Sequence, residues 1–255
     1  MLIVLSPAKT LDFETPASIT KATSPALLKE TAELIAILKQ QSPKQLGQLM
    51  GISEKLSELN HQRYQDFEIP LPKKGTKQAA FAFQGDVYQG LLASEMTEKQ
   101  LLYAQDHLRI LSGLYGALRP LDRMLPYRLE MGTSLKNKAG KDLYAFWGDK
   151  ITDSVSKQIA ATKSKFLLNL ASNEYFRSVK AKQLSCPVVS PAFKEFKNGK
   201  YKIISFFAKK ARGTMASWVI RNRVKSIAKL ANFNEDGYQF DEESSTEDVP
   251  VFLRG

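Results

Sequence analysis

Four short apolar runs in the sequence each end at small, polar or charged side chains that could bind a ligand. The runs are LIVL, RIL, LLNL and ISFF, and they are followed by SPAKT, SGLYG, ASNEY and AKKARG. If the runs are parallel strands of one sheet, the segments that follow them meet at the edge where open α/β sheets hold their ligands. The polar residues that would gather there are Lys9, Ser112, Asn173, Glu174, Lys209, Lys210 and Arg212.

Such a cleft would contain several cations, one carboxylate and no histidine, which favours a phosphorylated or otherwise anionic ligand over acyl-transfer chemistry. Glu174 is the candidate general base, with Lys9 and Asn173 as further catalytic candidates. The alternative for Glu174 is structural, because the helix dipole stabilises a carboxylate at a helix start. The sequence has neither a Walker loop nor a G-x-G-x-x-G motif, so it does not predict a standard nucleotide-binding fold. An enzyme acting on an anionic small molecule is therefore one hypothesis, and no cofactor is expected.

The second chemical feature is a basic segment, residues 196–234. It contains ten Lys or Arg and no Asp or Glu, and the whole chain has a formal net charge of +11. Like charges at this density repel one another, which indicates an anionic partner such as nucleic acid. The alternative is a solvated helix face, although exposed helices usually mix the two signs. The candidate DNA contacts in this segment are Lys209, Lys210, Arg212, Arg221, Arg223, Lys225 and Lys229.

The local pattern of the basic segment predicts a strand followed by a helix. Residues 201–207 are aromatic and β-branched, which is typical of a strand, and AKKARG at 208–213 is expected to interrupt the regular structure. Apolar residues then recur at helical spacing. The apolar stripe of this predicted helix consists of Ile220, Val224, Ile227 and Ala231. A separate basic face consists of Arg221, Lys225 and Lys229.

A helical hairpin is predicted at about residues 43–67, where Ser42-Pro43 and Ser53 are both helix start signals. This arrangement resembles the helix-hairpin-helix motif, in which N–H groups at the second helix hold a DNA phosphate without reading sequence. The usual motif has a second glycine where Ser53 stands here. A plain structural turn is the alternative. The DNA contacts expected from the hairpin are Gly51, Ile52, Ser53 and Lys55.

Local signals predict several further elements. Asn198-Gly199 predicts a tight turn between two strands, and residues 79–83 are expected to form another strand. The residues after the third apolar run are rich in Gly and Pro, which predicts irregular backbone. Arginines in that region are expected to pair with nearby carboxylates as a structural network, and the alternative is that they face an anion. The members of the network would be Arg119, Arg123, Arg128, Asp122 and Glu130.

A chain of 255 residues can bury a core as one large domain or as two small ones, and its acidic tail at 235–255 could fold over the basic segment. The single cysteine excludes an internal disulfide and suits a reducing cytosol. Only two histidines are present, which argues against a metal site of His and Cys ligands. The sequence shows no signal peptide and no apolar run of membrane-spanning length. A cytoplasmic protein without a membrane partner is expected.

The motifs SPAKTLDF, FQGDVYQGL, LSGLYGALRPLD, PYRLEMGT, LYAFWG, NLASNEYF and IISFFAKKARG occur in this order. With them the chain closely resembles the YaaA family of bacterial peroxide-stress proteins over essentially its whole length. The resemblance implies a single compact domain of mixed α/β class over residues 1–255, with an uncommon topology and a positively charged cleft. It also implies binding to double- or single-stranded DNA through a helix-hairpin-helix, and a role in limiting free iron and oxidative DNA damage. No established reaction comes with it. Direct iron sequestration ranks last, because clustered ligands are few.

Overall fold

The computed structural model describes residues 1–255, which form thirteen strands and ten α-helices. The strands are β1 Leu2–Leu5, β2 Thr10–Leu11, β3 Lys77–Gln78, β4 Phe83–Gln84, β5 Leu108–Ser112, β6 Gly116–Leu118, β7 Arg123–Met124, β8 Leu167–Leu170, β9 Val188–Val189, β10 Ala192–Lys197, β11 Lys200–Lys202, β12 Gln239–Asp241 and β13 Val251–Arg254. The helices are α1 Leu28–Lys39, α2 Pro43–Met50, α3 Glu54–Gln65, α4 Ala79–Ala82, α5 Asp86–Leu91, α6 Glu98–His107, α7 Leu143–Trp147, α8 Lys150–Thr162, α9 Asn173–Phe176 and α10 Ser205–Asn222. No helix combines the length and the apolar composition that a bilayer span requires.

The central sheet has five strands in the order β6-β5-β1-β8-β9. β1 runs parallel to both β5 and β8, and β8 runs parallel to β9, whereas β6 is antiparallel to β5. All four residues of β1 are buried, as expected for a parallel strand that is covered on both faces. Helices α6, α8 and α10 pack against β1. The predicted α/β class and three of the four predicted parallel strands are therefore confirmed.

A second sheet of four strands has the order β11-β10-β13-β12. β10 and β11 form the predicted hairpin at Asn198-Gly199, and both turn residues have positive φ, 56° and 75°. Two positive φ values are typical of the type I′ turn that Asn-Gly favours. Near the chain's end, β13 lies inside this sheet, parallel to β10 and antiparallel to β12. The acidic tail is thus part of the second sheet.

The basic segment does not fold as its local pattern predicts. β11 ends at Lys202 and α10 begins at Ser205, so residues 201–207 are not one strand, and α10 continues through 208–213. The physical reason is a close crossing with α5, at which Gly213 is buried. A Cβ on Gly213 would overlap with the carbonyl oxygen of Val87, so glycine is needed there for contact and does not break the helix.

α10 also ends earlier than predicted. Asn222 is its last residue, and Arg223 adopts the left-handed conformation with φ 49°. The predicted apolar stripe therefore does not lie on one helix, and Arg221, Lys225 and Lys229 do not share a helix face. Residues 79–83 are another correction, because Ala79–Ala82 form a short helix. All four residues are buried, so their apolar run reflects burial and not strand structure.

Candidate functional site

A cavity of about 470 Å³ lies at the carboxyl ends of β1 and β8. Within this sheet, the strand that comes after β1 in the chain is β5, and it lies on the side of β1 away from β8. The strand that comes after β8 is β9, and it lies on the side of β8 away from β1. Adjacent strands whose connections diverge in this way leave a crevice, which is the usual ligand site of open α/β sheets. The lining residues are Ser6, Pro7, Ala8, Lys9, Thr10, Gln84, Gly85, Asp86, Val87, Glu130, Leu170, Ser172, Glu174, Tyr175, Lys209 and Arg212.

Two serines hold together the segments that follow β1 and β8. The backbone N–H of Ser172 donates to Oγ of Ser6 at 2.8 Å, and the two hydroxyl oxygens are 3.3 Å apart. The buried Tyr88 of α5 donates its hydroxyl to the carbonyl oxygen of Ser6 at 3.1 Å. These contacts fix the floor of the cavity to the ends of both strands and to α5.

The cavity wall carries three carboxylates and three cations, so it is bipolar and not simply positive. Glu130 accepts from Lys9 Nζ at 2.7 Å through one oxygen, and its other oxygen lies 3.3 Å from Arg128. Glu174 accepts from the backbone N–H of Gly132 at 2.9 Å. Asp86, the first residue of α5, has no side-chain partner within the protein. The sequence suggested one carboxylate here, and the structure adds Asp86 and Glu130.

Lys209 and Arg212 enter the cavity from α10, one helical turn apart. Neither has a carboxylate partner, and Arg212 makes no side-chain hydrogen bond within the protein. Arg212 is half-buried, and this desolvation lowers the pKa of its guanidinium below its usual value. An arginine remains protonated at neutral pH. The cavity therefore holds a desolvated cation whose hydrogen-bond donors are unused.

A buried tyrosine, Tyr175, also lines the cavity. Tyr175 of α9 is buried, and burial is the main reason that its pKa is raised above 10, with Glu174 and Glu130 contributing. Its hydroxyl is therefore neutral at physiological pH. Beneath it, Tyr127 shares a hydrogen bond of 2.6 Å with Ser112, and burial raises its pKa as well. Neutral phenols next to the carboxylates can donate hydrogen bonds without adding charge.

The structure brings together four of the residues predicted to gather at the strand ends, namely Lys9, Glu174, Lys209 and Arg212. Three others lie elsewhere. Ser112 is buried against Tyr127, Asn173 is exposed outside the cavity lining, and Lys210 pairs with Asp236 at 3.4 Å on another side of α10. Asp86 and Glu130 were missed because they arrive from a helix start and an irregular loop. Both occur in motifs singled out in the sequence, FQGDVYQGL and PYRLEMGT.

Two of the three arginines predicted to form a structural network, Arg119 and Arg128, pair with carboxylates in that loop region, whereas Arg123 has no carboxylate partner. Arg119 donates to the buried carboxylate of Asp122 at 2.8 Å, and Asp122 also accepts from the hydroxyl of Thr23. Arg128 pairs with Glu130 as described above. This network orders the loop between β6 and α7, and through Glu130 it forms part of the cavity wall.

Most cations of the basic segment are unpaired. Lys210 pairs with Asp236, and Arg221 lies 3.4 Å from Glu95. The other eight have no carboxylate partner: Lys197, Lys200, Lys202, Lys209, Arg212, Arg223, Lys225 and Lys229. They are spread along the molecule, because about 21 Å of helix separates Lys209 from Arg223 at 1.5 Å per residue.

The helical hairpin consists of α2 and α3, with Gly51 in the left-handed conformation between them. The N–H groups of Gly51 and Ile52 both donate to the carbonyl oxygen of Gly47. Ser53 caps α3, and its own N–H has no partner in the protein. Lys55 is exposed on the first turn of α3. Basic and acidic side chains balance over 43–66, so the hairpin by itself creates no strong positive field.

The acidic tail contacts α10 through Asp236 and through Arg254, whose guanidinium lies over the ring of Phe207. Asp236 accepts from Thr214 Oγ1 at 3.1 Å and pairs with Lys210. The rest of the tail builds β12 and β13, and Arg254 of β13 pairs with Glu195 at 2.9 Å. The tail therefore neutralises one lysine of the basic segment and leaves Lys209 and Arg212 uncovered.

Comparisons with known proteins give matches over the whole fold. The model of the family described as peroxide stress protein YaaA matches residues 1–244. The UPF0246 protein of Saccharophagus degradans is 54% identical over 254 residues, which covers 100% of this chain and 99% of the relative. That of Janthinobacterium sp. is 54% identical, with 100% and 98% covered, and that of Teredinibacter turnerae is 52% identical, with 100% and 99% covered.

Proposed function

Because the chain belongs to the family of the peroxide stress protein YaaA, we propose that it protects DNA in the cytoplasm during peroxide stress by binding the phosphate backbone. The observation that supports this proposal is the set of eight unpaired cations in the basic segment. Cations without a carboxylate partner keep their full charge for an external anion. Because they are spread over the surface and do not line one groove, they suit backbone contacts, which carry no sequence information.

The proposed contacts form two groups and a hairpin. Lys209 and Arg212 meet phosphates at the mouth of the cavity, and Arg223, Lys225 and Lys229 do so beyond the end of α10. At the helical hairpin, the free N–H of Ser53 and the side chain of Lys55 are the proposed donors. Gly51 and Ile52 position this turn, since their N–H groups are already used within the protein.

Binding of this kind also offers a route to limit iron damage. Each lysine or arginine that neutralises a phosphate releases a condensed counterion. Fe²⁺ bound to phosphates is such a counterion, and it generates hydroxyl radicals from peroxide beside the DNA. We therefore propose that the protein protects DNA by displacing Fe²⁺ from it, without needing an iron site of its own.

The proposal is tested with the triple variant R223Q/K225Q/K229Q, whose three positions are exposed. We expect weaker binding to duplex DNA of every sequence, measured by fluorescence anisotropy, and a salt slope that is shallower by up to about 2.7, or about 0.9 per phosphate contact. The variant should also protect plasmid DNA less well from nicking by Fe²⁺ and peroxide. Unchanged affinity and unchanged protection would contradict the proposal.

A second candidate function is supported by the unpartnered, half-buried Arg212. A cavity of about 470 Å³ is in the size range of small-molecule sites. Its cations suit a phosphate or carboxylate at one end of a ligand, and Asp86 and Glu174 suit hydrogen-bond donors at the other end. A nucleotide or a phosphorylated metabolite has this chemistry. In such an enzyme, Glu174 is the candidate general base and Lys9 holds the neighbouring carboxylate, Glu130.

Arg212→Gln tests ligand binding in the cavity, and Glu174→Gln separates the enzyme hypothesis from DNA binding, because Glu174 is not among the proposed DNA contacts. A ligand in the cavity raises the melting temperature of the protein by mass action. Adenosine monophosphate, the probe, should therefore stabilise the native protein and not Arg212→Gln. If the cavity carries the protective function, Glu174→Gln binds DNA normally but fails to restore peroxide resistance to a strain lacking the protein. Full resistance with Glu174→Gln would remove the enzyme hypothesis.

A further inference from the structure

The β10–β11 hairpin and the start of α10 expose an unusual number of large apolar side chains. Ten such side chains are exposed in the whole protein, and five of them lie between residues 196 and 207. They are Phe196, Tyr201, Ile203, Phe206 and Phe207. Phe196 is 53% exposed, Tyr201 42% and Phe206 52%. Large apolar side chains that are exposed together in one short segment usually mark a binding site.

The rings in this patch are held in pairs by the backbone. Phe196 and Tyr201 lie directly opposite each other across the hairpin, and their ring centres are 5.2 Å apart. Phe206 and Phe207 are 5.5 Å apart at the start of α10. The Arg254 guanidinium stacks on the Phe207 ring, 4.6 Å from its centre, and helps to hold this ring in place. Two pairs of ordered rings therefore face solvent.

The hairpin also carries unpaired lysines at its tip. Lys197 and Lys200 lie directly opposite each other in the register, which is an unfavourable pairing of like charges. Lys202 follows on the edge strand β11, and none of the three has a carboxylate partner. Lysines on an edge strand can prevent aggregation. That role does not explain why the aromatic rings beside them are left in water.

We propose that Phe196, Tyr201 and Phe206 form a stacking surface for the unpaired bases of single-stranded DNA, with Lys197, Lys200 and Lys202 binding its phosphates. The positive charge of the lysines favours an anionic partner, and the exposed aromatic rings beside them favour a partner that has planar groups. Aromatic rings combined with cations are how proteins hold single strands without reading sequence. Phe206 lies one turn before Lys209 on α10, so the surface continues to the cations at the cavity. This inference rests on the proposed DNA binding and specifies the DNA structure bound by this surface.

The test is fluorescence anisotropy with a labelled oligothymidine and a labelled duplex, using Phe196→Leu and Tyr201→Leu. Leucine keeps the apolar surface and removes the ring. We expect each variant to bind the single strand about 5- to 150-fold more weakly, which is the usual contribution of one stacked base. The salt slope and the affinity for duplex should stay unchanged. Tyr201→Phe, which keeps the ring, should bind as the native protein does.

Other results would overturn the inference. Native affinity of Tyr201→Leu for oligothymidine, or equal losses on single strand and duplex, would show that the rings do not stack on bases. Binding to phosphatidylserine vesicles that depends on the rings, with unchanged binding to oligothymidine, would make the patch a lipid surface. If the native protein binds duplex but the ring variants have no effect, only this inference fails. If it binds no DNA at all, the proposed function fails too.

Discussion

Replacing Gly213 with alanine tests the helix crossing that places Lys209 and Arg212 at the cavity. In an open helix, Gly→Ala stabilises by about 1 kcal/mol. At Gly213 the new methyl group would lie 2.8 Å from the carbonyl carbon of Val87 and 2.9 Å from the nitrogen of Leu91. Ordinary carbon contacts begin at about 3.5 Å. These neighbours are backbone atoms, which cannot rotate away as a side chain can, so α5 and α10 must separate.

Overpacking in a core costs about 1–3 kcal/mol, and a clash with backbone belongs at the upper end of this range. A cost of about 3 kcal/mol, offset by about 1 kcal/mol of helix propensity, leaves Gly213→Ala about 2 kcal/mol less stable. In urea denaturation, a slope of about 3 kcal/mol per M then lowers the midpoint by about 0.7 M.

Gly47→Ala in α2 is the matched control. Its methyl group would lie 2.8 Å from Oγ of Ser57, which is the end of a side chain that can move. We expect its midpoint to stay within about 0.2 M of the native value, because the propensity gain offsets the small adjustment. A midpoint for Gly213→Ala that equals or exceeds the native one would refute the close crossing of α5 and α10.

Three further predictions follow from single contacts. The pKa of His107 is lowered below 6.5 chiefly by burial, so the folded state binds fewer protons than the unfolded state and loses stability as the pH falls from 7 to 5. His107→Gln should show less of this loss in urea midpoints measured across that range. Asp122→Ala should lower the free energy of unfolding by about 3 kcal/mol, because it leaves the guanidinium of Arg119 without its buried carboxylate partner. Asp236→Asn should free Lys210 and steepen the salt dependence of DNA binding by about 0.9.

Each of these expectations has a contradicting result. A His107→Gln profile parallel to that of the native protein would show that the imidazole has the same pKa in both states. An Asp122→Ala variant within about 0.5 kcal/mol of native stability would behave like a surface substitution, which would show that the Arg119–Asp122 pair does not stabilise the fold. An unchanged or shallower salt slope for Asp236→Asn would mean that Lys210 does not reach DNA when it is released.

The parts of the fold that local sequence could predict were those set by strong short-range signals. The apolar run LIVL predicts a buried strand, and the small and polar residues SPAKT predict that this strand ends there. β1 and the cavity residue Lys9 were therefore found from the sequence. Asn198-Gly199 likewise determined its own turn, because both residues tolerate positive φ. Glu174 and Arg212 were found because each follows an apolar run closely.

The errors came from contacts between distant segments. Residues 205–213 contain Phe, Lys and Gly in an order that suits a strand and a break, whereas in the structure they form a helix that packs closely on α5 at Gly213. Asp86 and Glu130 reach the cavity from segments far apart in the chain, and no local signal predicts that they line the same cavity as Lys9. The charge balance of the cavity therefore required the tertiary structure.

The central claim is that unpaired cations hold DNA and that total charge alone does not. Lys209→Gln and Lys210→Gln test it directly, because each removes one positive charge from neighbouring positions of α10, but only Lys210 is paired with a carboxylate. Duplex binding should be measured by fluorescence anisotropy from about 50 to 200 mM salt, where each contact contributes a factor of about 3.5. We predict a salt slope that is shallower by about 0.9 for Lys209→Gln and unchanged for Lys210→Gln. Equal slopes for the two variants would contradict the account.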